Sequence, residues 1–583
     1  MSPVRIMVTD RQYSCWTFHD VDTTHEISLE SPPKFQAADQ KLFSKDVIEI
    51  SEDGLSATII NSQVRSPHSI YAGVLQLDSN KTYGRTENKK RLLYKCIPDD
   101  IHLPAFLVPY DVKIGFEKKH KNKYVVFRYD QWSGKHPQGL LVESLGDVDS
   151  LGAFYEYQLY CKSLHASIAE ITAEARSNLN KKTHQEYISQ ICQDPRFSVQ
   201  DRRQDYIFTI DPHGSMDFDD GFSLTRLPDG RRQMSIHIAN VSLWLDAMGL
   251  WKSFSKRVST IYLPDRRRPM LPTVLSDALC SLQEGHPRFA FTMDIILEED
   301  GSVAKDSITG EDNIKFTNTI IKVAKNYRYE ECSMYDDVMY KDLFNLTKLL
   351  DKTAANSHDV VGFWMVYMNK MCAKRMVDLK IGIFRSVLVK SPDVFNKSLS
   401  ESLTPDCKRV IQTWHNTIGQ YVAFSDNAVL DHQIMNESSY IHITSPIRRL
   451  VDLLNQMLFL SHGNPTFLSK DAVEFLNKWM SNLDYVNTSM RSIRKVQTDC
   501  DLLHKCTVDP DIMKTVHDGV IFDMISKNDK SVTFMVYLED LKLLSRVVLL
   551  PGANIENYTK AKFRLYLFED EDKTKRKIRL QMV

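Results

Sequence analysis

Alternating apolar and polar positions mark both ends of the chain as β-rich. Residues 70–147 hold five runs, YAGVLQL, RLLYKCI, AFLVPY, KYVVFRYDQW and GLLVESLG. They are rich in Val, Leu, Phe and Tyr and are separated by turn-forming stretches such as SNKTYG, KNK and SGKHPQG. Five short strands in so small a span predict a closed barrel. Residues 1–69 carry shorter strand-like pieces (DVIEI, SATIINS) and predict a smaller β-rich domain. The tail, 514–583, returns to strands (VHDGVIFDMI, SVTFMVYL, SRVVLL, AKFRLYLF, KIRLQMV) and predicts a second barrel. Between these ends the period changes. Residues 148–200 read as helical, and a long mixed α/β region follows to about 505. Helical spacing of apolar residues runs over 341–356, 358–378, 406–423, 446–461 and 470–504. The expected divisions are therefore 1–69, 70–147, 148–200, 201–505 and 506–583.

Length agrees with this division, since 583 residues exceed one core and suit several domains of roughly 100–200 residues. Charge is uninformative in bulk, because 74 Lys and Arg balance 75 Asp and Glu. Any nucleic-acid footprint must come from local clusters. The ten cysteines form no CxxC pair, which argues against a zinc site or disulfide framework and for a reducing compartment. No apolar run approaches the roughly 18 residues of a membrane span, and the N-terminus does not resemble a signal peptide. A soluble, intracellular protein is the expectation.

The segment YIFTIDPHGSMDFDDGFSL carries the most chemistry. An apolar strand ends at Ile210, and Asp211, Asp217, Asp219 and Asp220 follow within ten positions. Gly214 allows a tight bend between them. Carboxylates crowded at a strand end repel one another and coexist at low cost only in water or around a cation. Two divalent ions there would clamp a phosphodiester for in-line attack by water. An all-oxygen ligand set favours magnesium, with manganese as the alternative, over zinc. The bland reading is a solvated acidic loop, which the flanking apolar strands oppose. A calcium loop counted from Asp217 would need Gly and Glu where Phe222 and Pro228 stand.

Cations and aromatics form further stations. Ser445-Pro446 reads as a helix start, with Arg448 and Arg449 in the first turn. Cations there oppose the macrodipole, and a bound phosphate would resolve the mismatch. The alternative is a surface pair or a bridge to Asp452. Tyr262 precedes Arg266, Arg267 and Arg268, so a base can stack while guanidiniums hold phosphates. Otherwise Tyr262 is a core residue beside a solvated turn. Tyr327 and Tyr329 give a similar, weaker signal. Lys89, Lys90 and Arg91, then Lys118 to Lys123, interleave with Tyr94, Phe116, Tyr124, Phe127 and Trp132. Arg491, Arg494 and Lys495 form a third basic cluster.

Taken together, these segments resemble the RNase II (RNB) family of exoribonucleases. DPHGSMDFDD is similar to its metal-binding signature, and HIANVS (237–242) to its HIADVS strand. YLPDRRRPMLPTVLSDALCSL (262–282) and TSPIRRLVD (444–452) resemble two further blocks, in the same order. The resemblance covers about 70–583, and its style is that of the eukaryotic exosome catalytic subunit, with no endonuclease (PIN) domain expected. It implies a multi-domain α+β fold. A central mixed α/β catalytic domain would be flanked by small oligonucleotide-binding (OB) barrels, cold-shock type on the N-terminal side and RNA-binding at the C-terminus. Trp132, Pro137 and Gly146 fit the cold-shock part.

The resemblance also implies magnesium-dependent 3′→5′ hydrolysis of single-stranded RNA to nucleoside 5′-monophosphates. Asp211, Asp217, Asp219 and Asp220 would be the metal ligands, and Arg448 would stabilise the transition state. Tyr262, Tyr329, Arg449, Arg266 and Ser445 would contact RNA. The implied partners are single-stranded RNA and other RNA-decay proteins, with no membrane. The implied state is a monomer in the cytoplasm or nucleus. The alternative is a weakly active or inactive relative that binds RNA within a decay or translational-control assembly.

The chain departs from the family at several points. Asn240 replaces the HIADVS aspartate, and Gly362 and Phe363 replace two glutamates of a VEEFM-type helix. Only AANSHDV (354–360) stands where an Arg-rich insert is usual, and Leu450 and Gln456 replace a Tyr and a His. The metal residues are retained while the grip on the 3′ end is altered.

Overall fold

The computed structural model describes residues 3–29, 33–87, 90–112, 120–388, 403–416, 418–526, 532–549 and 556–583. Lys89, Phe116, Lys118 and Lys119 of the expected basic and aromatic clusters lie outside these residues. The chain forms two compact units that interleave along the sequence. One comprises 1–165, 263–265 and 494–583, the other 166–262 and 266–493.

The first unit is built from three β modules. Strands β1 (Val4–Val8), β2 (Trp16–Asp20), β3 (Glu26–Ile27), β4 (Val47–Ile50) and β5 (Ala57–Asn61) form a sheet ordered β3-β2-β1-β4-β5. Strands β6 (Tyr71–Leu75), β7 (Leu92–Pro98), β8 (Phe106–Tyr110), β9 (Lys123–Gln131) and β10 (Gln138–Asp147) close into a barrel, as the alternation predicts. These two modules share one apolar core, in which Phe43 stacks on Phe106. Helix α1 (Leu151–Cys161) follows the barrel, its start capped by Ser150.

The C-terminal strands are Val516–Ser526, Val532–Leu538, Leu543–Leu549, Lys560–Glu569 and Arg576–Met582. They form one five-stranded antiparallel sheet whose first strand is central. The third strand comes near the fifth, so the sheet curls almost closed. This module is fastened to the closed barrel although some 370 residues of sequence separate them in the chain. Tyr124 donates its hydroxyl to the Lys573 carbonyl at 3.0 Å. Lys573 also binds Asp149, and Arg576 donates to the Val148 carbonyl.

The second unit begins with helices α2 (Ala169–Lys181) and α3 (His184–Gln193), the latter opened by a Thr183/Glu186 capping box. Its centre is a seven-stranded mixed sheet. The strands are β11 (Gln200–Arg202), β12 (Phe208–Asp211), β13 (Asp220–Arg226), β14 (Arg232–Ala239), β17 (Pro287–Leu297), β18 (Ile314–Lys322) and β19 (Lys325–Arg328). They are ordered β11-β18-β17-β14-β13-β12-β19. Between β14 and β17 lie α4 (Val241–Ala247) and the two-residue hairpin strands β15 (Ile261–Tyr262) and β16 (Arg267–Arg268).

One sheet face is packed by α6 (Val338–Leu350) and α7 (Ser357–Asp378), which follow the short α5 (Cys332–Asp336). Trp364 is fully buried and its indole donates to Thr347 at 2.9 Å, pinning α7 to α6. Asn369, also on α7, donates to the Tyr440 hydroxyl and accepts from the Ile443 amide, both at 3.0 Å. That pair of bonds fixes the segment leading into Ser445–Arg448.

Three expected helices are corrected. Residues 418–423 are not helical but a strand, Ile418–Ala423, paired with β20 (Ile383–Leu388). Residues 470–504 are two helices, Lys470–Met480 and Leu483–Val508, interrupted at Ser481 and Asn482. The helix expected from Pro446 starts at Leu450, and 446–448 is a turn.

Candidate active site

The acidic residues lie at the ends of two paired strands. β12 ends at Asp211 and β13 begins at Asp220, joined in antiparallel register at Phe208 and Phe222. Apolar side chains on these strands, Phe208, Ile210, Phe222 and Leu224, are buried in the sheet core and fix where the strands end. The connecting loop turns at Pro212–Ser215, where Gly214 has φ +85°, a value that favours glycine.

The 262–282 block holds that loop in place. Ser281 donates to the Met216 carbonyl at 2.8 Å and accepts from the Phe218 amide at 3.0 Å. The Leu282 amide adds a bond to the Phe218 carbonyl. Arg267 reaches Asp217 at 2.6 Å and Asp277 at 2.5 Å. Two sequence blocks more than 40 residues apart are thus one structural piece.

Arg448 stands over the same centre. Its Nε lies 3.1 Å from Oδ2 of Asp219, and Oδ1 of Asp219 accepts from the Ile447 amide at 3.0 Å. The turn carrying Arg448 is anchored by its own carbonyl, which accepts from the Thr260 amide and the Ser259 hydroxyl, each at 2.9 Å. Ser445 accepts from Arg448 Nη2 at 3.2 Å and so orients the guanidinium.

Burial and mutual repulsion dominate the electrostatics. Asp211 is pushed up to about 8, by burial first and the charge of Asp220 second. Asp219 is pushed up to about 8 by burial, against the favourable charge of Arg448. Asp220 rises to about 6 for the same reason. Oδ2 of Asp211 is buried and has no hydrogen bond among the described residues. A buried carboxylate oxygen in that state is costly unless a cation or a proton meets it. The donor set is all oxygen, so it suits a hard divalent cation.

The expected four-aspartate metal site is not assembled as these side chains stand. Among the described residues, no three His, Cys, Asp or Glu side chains converge closely enough to hold a metal ion. Arg267 binds Asp217 and Arg448 binds Asp219, each supplying positive charge to the acidic cluster.

Both expected tyrosines reach this centre. Tyr262 is 43% exposed, which removes the core-tyrosine alternative. Its hydroxyl bonds Arg448 and feels the charges of Asp217 and Asp219. Tyr329 follows β19 and donates its amide to the Asp211 carbonyl at 3.1 Å. Burial and the charges of Asp220 and Asp211 hold its phenol well above the usual range. Its ring stacks on His358, with centroids 3.6 Å apart. Tyr327, in contrast, is buried in the sheet core.

Arg449 does not join the cluster of expected RNA contacts. Its guanidinium is bound by Asp452 through Nε and, at 2.8 Å, through Nη2. Asp452 also accepts from the Ser445 amide, so this pair braces the turn that carries Arg448. Arg266 is exposed in the loop between β15 and β16. Asn240 is fully buried, donating to Asn318 at 2.9 Å and accepting from Ser242 at 2.7 Å. Its amide completes a buried polar chain. Gln456, another departure, bonds the carbonyls of Ala239 and Ile443 and ties β14 to the segment before the turn.

Sequence reasoning missed His358 and the separate role of Arg267. His358 stood in a short linker and carried no pattern. Arg267 was hidden among three consecutive arginines whose environments differ: one exposed, one bridging two acids, one buried.

Residues 199–352 match the RNB domain. Ribonuclease R of Thermotoga maritima is 26% identical over 264 residues, which are 42% of this chain. The matched stretch is only 36% of that relative's own length. Among solved structures, Mycoplasma genitalium RNase R in complex with ribose methylated single-stranded RNA is similar in fold. The TM-score is 0.68 at 16% identity, over 99% of this chain and 100% of that one. Yeast Ssd1, a pseudonuclease, is similar with a TM-score of 0.56 at 14% identity, over 96% and 80%. The aspartate strands, the loop and the 262–282 block all lie inside the matched segment, so residues 199–352 carry an RNB domain.

Proposed function

We propose that this protein is a divalent-cation-dependent exoribonuclease that shortens single-stranded RNA from the 3′ end. The observation that carries the reading is the set of Asp211, Asp219 and Asp220, buried at the ends of paired strands beneath one guanidinium. Burying like charges side by side destabilises a fold and is retained where chemistry needs them.

Asp211, Asp217, Asp219 and Asp220 are the residues that would hold magnesium or manganese. The bound cation would supply charge for the scissile phosphate and lower the pKa of an attacking water. Arg448, oriented by Ser445 and by the anchored turn, places positive charge where the phosphate gains negative charge. Tyr262 offers an exposed ring and a hydroxyl bonded to Arg448, which suits contact with the nucleotide beside the scissile bond. Tyr329 stands beside Asp211 and Asp220. Contacts to the 2′-hydroxyl would separate RNA from DNA.

A second reading is an RNA-binding protein without hydrolysis. It is favoured by one observation: Asp217 and Asp219 already have arginine partners, so a cation must compete with Arg267 and Arg448. A single assay separates the two. RNA labelled at its 5′ end is incubated with the protein and magnesium, and products are resolved by length. The exonuclease reading expects a ladder receding from the 3′ end, absent with Asp219→Asn. Tight binding with unchanged length establishes the second reading instead.

A further inference from the structure

Beside Tyr329, α7 carries a cavity of about 380 Å³ that none of the expected site residues lines. Its floor is at Gly362, where an added Cβ would meet nothing within 4 Å. Its walls include the rings of Phe363 and Tyr367, 6.1 Å apart and tilted by 33°, with His358 one turn earlier on the helix. Asp351, Asp359 and Lys370 stand on the rim. Lys370 is held in place by Glu437 at 2.6 Å. His358 is the link to the acidic centre, because its ring lies flat on Tyr329.

We infer that this cavity takes a nucleobase at or next to the 3′ end of the RNA strand, gripped by stacking on Phe363, Tyr367 and His358. This rests on the exoribonuclease reading and deepens it. Three features select a base over other parts of a nucleotide. Aromatic walls stack on any base face. The two rim carboxylates repel a backbone phosphate but accept hydrogen bonds from an exocyclic amine, while Lys370 donates to a ring nitrogen or carbonyl. The floor is open because position 362 has no side chain, so a planar ring can enter edge-first. This face of α7 therefore offers ring stacking as its main grip.

The test uses the full chain carrying Asp219→Asn, so that the strand keeps its length. Single-stranded RNAs bearing 2-aminopurine at each of the last four positions are bound in turn, and fluorescence and affinity are read. Stacking predicts strong quenching at one terminal position. Gly362→Leu fills the floor without straining the helix. It should relieve that quenching and weaken binding by about 5- to 150-fold, the range for one lost base stack. His358→Ala should relieve it in part, which separates loss of a stack from a general change in the helix. If RNA binds but no position responds to Gly362→Leu, the cavity is not a base site, while the exoribonuclease reading stands. If the protein binds none of these RNAs, both readings fall.

Discussion

The acidic centre and the α7 cavity are linked through Tyr329 and His358 but are built in very different ways. At the centre, Asp217, Asp219 and Arg448 are each bound by groups from separate sequence blocks, while Oδ2 of Asp211 has no hydrogen bond among the described residues. On α7, Gly362 and Phe363 line the cavity, and the connection from α6 is only Asp351–Asn356. The core side of α7 is nevertheless well fixed, through Trp364 to Thr347 and Asn369 to Tyr440 and Ile443. A helix can thus fix the position of Arg448 with one face while another face lines a cavity. On the proposed reading, reaction and grip are separable because different faces of the same scaffold carry them.

The largest effect that would break this separation concerns Arg448. Arg448→Ala should lower kcat by about 10²–10³-fold with little change in KM, as expected for a group acting on transition-state charge. Lysine at that position should not restore the rate, because it lacks the planar fork oriented by Ser445. Gly362→Leu should do the reverse, raising KM by about 5- to 150-fold and leaving kcat nearly unchanged. Steady-state kinetics on one RNA substrate check both. If each variant moved both constants together, the two regions would form a single unit.

Stability gives a smaller, independent contrast. Asp211 and Asp219 have folded-state pKa values near 8, raised from 3.8 mainly by burial. The metal-free folded protein therefore binds more protons than the unfolded chain across this window. Its stability should be greatest below about pH 4 from these groups and should fall as pH rises toward 8. Calorimetry without divalent ions should show this decline, and Asp219→Asn should flatten it and raise the melting temperature at pH 8. Magnesium should stabilise the wild type most at the alkaline end. A melting temperature independent of pH and magnesium would remove the strain ascribed to the acids. The smallest effect is at Asn240. Introducing an acid with Asn240→Asp should destabilise the fold by about 1–3 kcal/mol, because Asn318 loses its donor and a charge is buried. Denaturant melts would measure it.

Much of the fold was legible in the sequence, for identifiable reasons. The closed barrel followed from five alternating runs with clear turns. The aspartate loop was legible because four acids crowded behind an apolar strand repel one another and suit few roles besides meeting a cation. Local spacing misled where tertiary bonds decide. Ile418–Ala423 has apolar residues compatible with a helix, yet it is drawn into pairing with β20. Ser445 and Pro446 look like a helix start, but Asp452 captures the Ser445 amide and Arg449, and the helix begins only at Leu450. The fastening of the C-terminal strands to the first barrel depends on contacts such as Tyr124 to Lys573, which no local pattern encodes. The same holds for His358, whose role comes from one ring contact.

Cation binding at the acidic centre underlies the proposed reaction. Manganese titration followed by electron paramagnetic resonance measures it in the protein alone. Wild type should bind the ion with an affinity that Asp211→Asn and Asp219→Asn each reduce strongly and Gly362→Leu leaves intact. Equal manganese binding by all four proteins, or none by the wild type, would contradict it.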